Sequence, residues 1–123
     1  MTRKYQWTDV WVLASIVLIR DMDVEKVSDL YYKNPLSPEL SKYKNIYQVM
    51  SAGDYINHAV FTNDELTSGV GNLLEGDFVH VVGDCLRPTK STIDYYEQEV
   101  GERKRISKKT LLTITRSLLE VEK

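Results

Sequence analysis

The chain has 123 residues, 42% of them apolar and 28% charged, with a formal net charge of −2. That is enough chain for one hydrophobic core, and the composition excludes collagen-like, mucin-like, disulfide-scaffold and disordered classes. Sixteen Lys and Arg against eighteen Asp and Glu give no overall case for nucleic acid or an anionic membrane.

Arg3 and Lys4 precede an apolar run from Val10 to Ile19. The run is too short to span a bilayer, and no small-residue cleavage site follows it. Neither a secretory signal nor a membrane anchor is expected. The single cysteine, Cys85, cannot form an internal disulfide, which points to a cytoplasmic protein and to a small buried thiol.

The first helix is expected from Thr8 as N-cap, with Asp9 at the positive end of its dipole. Its apolar residues cover nearly every face, so it belongs at the centre of a domain or in an interface. Val24 to Tyr32 shows helical spacing, and Asn34-Pro35 and Ser37-Pro38 punctuate the chain after it. From Tyr43 to Val60, Ile46, Val49, Met50, Tyr55, Ile56 and Ala59 form a further helical stripe, weakened at Gly53. Thr62-Asn63-Asp64-Glu65 spells a capping box, and Leu66, Val70, Leu73 and Leu74 follow as the stripe of a short helix. Gly76 suits a left-handed stop. Phe78 to Val82 reads as a strand, Gly83-Asp84 as a type II′ turn, and Cys85 to Arg87 as the return strand. Thr89 is placed to cap a helix reaching Val100, and the last helix runs from Ser107 to Val121.

Two stretches in this order carry a resemblance. Asp54-Tyr55-Ile56-Asn57-His58-Ala59 precedes Thr62-Asn63-Asp64-Glu65-Leu66, and Leu73-Leu74-Glu75-Gly76-Asp77-Phe78-Val79 leads into the hairpin. Together they resemble small bacterial proteins of the winged helix-turn-helix class. The resemblance implies a mainly α fold with a small β-hairpin wing over residues 1–100, and an added amphipathic helix over 101–123. It places Asn63 to Glu75 as the recognition helix and Phe78 to Arg87 as the wing, with Gly83 and Asp84 at its tip. In DNA-binding members of the class the helix enters the major groove, and basic residues on helix and wing meet phosphate.

Charge distribution opposes that last implication. Residues 45–86 contain no Lys or Arg and six acids: Asp54, Asp64, Glu65, Glu75, Asp77 and Asp84. Tight duplex binding commonly uses about 6–10 neutralised phosphates, and this window offers no cation for any of them. The concentrated basic cluster is Arg103, Lys104, Arg105, Lys108 and Lys109, outside the helix-turn-helix. Gly69 and Gly71 either pack near a neighbouring helix or let another chain approach closely.

Other constellations are weaker. Asp54 and His58 would share a helix face, but with His80 or Cys85 they make no four-ligand set, so no metal is expected. No nucleophile elbow and no phosphate-binding glycine loop occurs, so no catalytic residue and no cofactor is assigned. The tyrosines, Tyr43 and Tyr47 among them, read as core-edge residues rather than as base-stacking platforms. The final helix offers Leu111, Ile114, Leu118 and Val121 on one face, either for its own domain or for a symmetry mate.

The expectation is a non-enzymatic binding module acting by protein–protein contact, as a homodimer, through Asn63, Thr67, Ser68, Asn72 and the wing. The alternative is a DNA-binding transcriptional regulator. In it Thr67, Ser68 and Asn72 read bases, and Arg103 to Lys109 supply phosphate contacts.

Overall fold

The computed structural model describes residues 4–20, 36–101 and 106–121. It is mainly helical, with one two-stranded antiparallel hairpin. In chain order the elements are α1 (Trp7–Leu18), α2 (Pro38–Ser41), α3 (Ile46–Asn57), α4 (Asn63–Glu75), β1 (Val79–Val82), β2 (Cys85–Pro88), α5 (Lys90–Val100) and α6 (Lys108–Leu119). The helix expected over Val24 to Tyr32 and the Asn34-Pro35 break lie outside the described residues. Among the described residues no helix is long and apolar enough to cross a membrane.

The core is built around α1. Asp9 through Val17 are all buried, because α3, α4, α6 and β2 pack on different sides of this one helix. A helix apolar on every face needs such a surround. Its N-cap is Gln6 rather than Thr8. The Asp9 carboxylate reaches back to the Gln6 N–H at 2.8 Å, which makes Gln6 the boundary and puts Thr8 inside the first turn. At the other end α1 has no basic residue of its own. Arg87, from β2, donates to the carbonyls of Ile19 and Arg20 and brings positive charge to the negative end of the dipole.

Helix α3 is shorter than its apolar stripe suggested. It stops at Asn57, and His58 takes the left-handed conformation with its N–H bonded to the Asp54 carbonyl. Gly53 answers to packing. A Cβ there would lie 2.3 Å from the Phe61 ring, which stacks against Trp11. The Trp11 indole donates to the Gly53 carbonyl at 2.9 Å. Gly53 thus lets α3 carry Phe61 and Trp11 against its backbone.

Helix α4 begins as expected. The Glu65 N–H donates to the Thr62 hydroxyl, and the Thr62 N–H to the Glu65 carboxylate. It ends differently. Gly76 stays right-handed, and Asp77 takes the left-handed position at φ 63°. The Asp77 N–H meets the Leu74 carbonyl and the Phe78 N–H meets Leu73, a Schellman closure. Gly76 is needed for space instead, since a Cβ there would sit against the Tyr5 hydroxyl. With its N–H used in that closure, Phe78 precedes the strand rather than opening it.

In the hairpin, Val82 pairs with Cys85, Val81 with Leu86, His80 with Arg87 and Val79 with Pro88. Gly83 and Asp84 both have positive φ, so the turn is type I′ and not II′. Cys85 is buried. Thr89 begins α5, but its hydroxyl donates to the Asp77 carbonyl at 2.8 Å instead of capping the helix. Its N–H and the Thr92 hydroxyl both donate to the Phe78 carbonyl. These bonds fix α5 to the entrance of β1. Helix α5 meets α6 through Tyr96, whose buried hydroxyl pairs with the Thr115 hydroxyl. Thr115 gives its own proton to the Leu111 carbonyl, so Tyr96 is the donor of the pair. Burial pushes the Tyr96 pKa well above its ordinary value of 10, and the bond to Thr115 acts in the opposite sense.

Candidate interaction surface

The outward face of α4 is Asp64, Ser68, Gly71 and Glu75, spaced at helical intervals and all exposed. It presents two carboxylates, one hydroxyl and a length of bare backbone. Thr67 is half-buried beside it. Gly69 faces inward. A Cβ at Gly69 would lie 2.6 Å from Val12, so this glycine lets α4 approach α1 of its own chain. Gly71 has open space around it.

Two residues expected on the recognising face hold the fold together. The Asn63 side-chain carbonyl accepts from the Ser37 N–H at 3.2 Å, linking α4 to the start of α2. Asn72 donates to the other Asp9 carboxylate oxygen at 3.1 Å. Asp9 is only 2% exposed, and with the Gln6 N–H on its first oxygen the buried charge is matched on both sides. Above this contact lies an open polar cleft of about 400 Å³, walled by Lys4, Gln6, Asp64 and Ser68 among others. Among the described residues no group of three or more His, Cys, Asp and Glu comes together there or elsewhere. His58 closes α3 in the left-handed conformation and so does not continue the helical face of Asp54.

The hairpin tip carries Gly83 and an exposed Asp84. Its inner edge is anchored by a residue that sequence reasoning did not single out. Asn45 is 1% exposed, and its amide donates to the Leu86 carbonyl at 2.8 Å while its carbonyl accepts the Leu86 N–H at 2.9 Å. The adjacent Lys44 N–H donates to the Asp84 carbonyl. The sequence signal was an Asn just ahead of an apolar period, which marks a helix start. Asn45 does stand at the N-cap of α3, with its side chain turned to the sheet.

Of the basic cluster, Arg103, Lys104 and Arg105 lie outside the described residues. Lys108 packs over the Tyr55 ring at 4.7 Å and donates to the Tyr55 carbonyl at 3.1 Å, joining α6 to the end of α3. Lys109 is exposed. The face expected at a dimer seam is already used within the chain. Leu111 and Ile114 are buried in the same core as α1, and Leu118 packs at its margin. Helix α6 is therefore a wall of this domain and not a detached appendage. Comparison of the chain with protein-family models, with curated proteins and with solved structures finds no match.

Proposed function

We propose that the chain is a non-enzymatic binding module acting by protein–protein contact. In this reading its architecture is a winged helix-turn-helix, with α3 and α4 as the helix pair and β1–β2 as the wing. The element order, the capping box at Thr62 and the side-chain bridge from Asn45 to the hairpin support that architecture. One observation carries the function. The exposed face of α4 and the hairpin tip hold Asp64, Glu75 and Asp84 and no cation. Against a duplex, with one negative charge per about 1.7 Å of axis, that surface is repelled. Against a basic or neutral protein surface it is compatible.

The DNA-binding alternative loses two of its parts, since Asn72 is tied to Asp9 and Lys108 to Tyr55. A homodimer through Leu111, Ile114 and Leu118 loses its seam for the reason given above, so the module is proposed to meet its protein partner as a monomer. Fluorescence anisotropy with random-sequence duplex DNA, at low and then physiological salt, tests the reading. No binding at either salt is expected. Tight, salt-dependent binding overturns it in favour of the regulator. Replacing Arg103, Lys104 and Arg105 by Ala would then flatten the salt slope.

A further inference from the structure

The two edges of the hairpin differ. In a two-residue hairpin the pair flanking the turn exchanges backbone bonds, and alternate pairs do not. Val82–Cys85 and His80–Arg87 are therefore the bonded pairs, and Val81 and Leu86 turn their N–H and C=O groups outward, to opposite edges. On the β2 edge the Asn45 amide meets both Leu86 groups. On the β1 edge no backbone group among the described residues meets Val81. Val81 is 46% exposed and Val82 52%, and His80 between β1's buried first residue and this pair is exposed too. Exposed Asp77 and Asp84 flank β1, before its first residue and in the turn after its last, while Arg87 belongs to β2 and Lys44 adjoins Asn45 on the β2 side.

We propose that the outer edge of β1 takes up an extended, lysine- or arginine-bearing segment of a partner protein as an added strand. The proposal rests on the protein-binding reading and says how the partner is held. Backbone bonds to Val81 give the affinity, and the exposed Val81 side chain meets the apolar side chains that alternate along its own face of the added strand. Asp77 and Asp84 select basic residues at the two ends of the incoming strand. A second copy of this chain fits poorly, because pairing two β1 edges would gather four carboxylates around one short ladder.

The probe is a short peptide of alternating lysine and valine, titrated into the ¹⁵N-labelled full chain. The expected result is a shift of the Val81 amide and its protection from hydrogen exchange. The same peptide N-methylated at alternate backbone amides, and a glutamate–valine counterpart, should each bind about tenfold more weakly or worse. Val81→Pro should abolish binding, since it removes an N–H that the β1–β2 ladder does not use. If that variant does not fold, the N-methylated peptide still decides the matter. Absence of binding, equal binding of the N-methylated peptide, or shifts confined to the α4 face overturns strand addition. Those outcomes leave the protein-binding reading standing, whereas duplex binding in the anisotropy assay removes the reading itself.

Discussion

The Leu86 N–H and C=O point away from β1 into the interior, where an unmet backbone group costs more than a hydrogen bond returns. Asn45 meets both with one side-chain amide, as a neighbouring strand would. Replacing it by Ala orphans both groups, and Asn45→Ala should destabilise the fold by about 3 kcal/mol, measured by urea denaturation. Asn45→Asp should be no better, because a carboxylate oxygen would face the Leu86 carbonyl. Nothing in the sequence announces this bond. Its partners lie 41 positions apart, and no period or turn rule spans that distance. The residue could be read only as a helix start, which is the smaller part of its role.

Among elements, α4 was the most legible in sequence because its signals are local. The capping box needs only four consecutive residues, and its stripe of Leu66, Val70 and Leu73 is buried as the spacing required. The stop was misplaced by one residue, since the sequence cannot tell a glycine kept for its backbone from one kept for space. At Gly76 the Tyr5 hydroxyl decides, and Asp77, a residue type that tolerates the left-handed region, takes the turn. The hairpin teaches the same lesson: Gly83 suits both primed turns, and the conformation of Asp84 selects I′. The two glycines of α4, one facing inward and one outward, give a paired prediction. Gly69→Ala should cost about 1–3 kcal/mol, because Val12 and the helix behind it must give way. Gly71→Ala meets open space and should stabilise by about 0.5–1 kcal/mol. Thermal unfolding of the two variants side by side checks both signs.

At the scale of the whole molecule, the sequence showed that α1 and α6 each need an apolar partner, but not whose. Amphipathic period records a buried face without recording the chain that covers it. The fold answers that α6 closes over α1 of the same chain. Ile114→Asp should therefore unfold the protein rather than release a folded monomer, at a cost of about 4 kcal/mol or more. Loss of the circular-dichroism signal, with a monomeric parent in sedimentation, checks this. The same placement has a consequence for synthesis. Trp7 leads α1 and Leu119 ends α6, so the central helix leaves the ribosome more than a hundred residues before its last wall exists. At roughly 5–20 residues per second its apolar flank is bare for several seconds or more, and the nascent chain in that interval is a natural client for a chaperone.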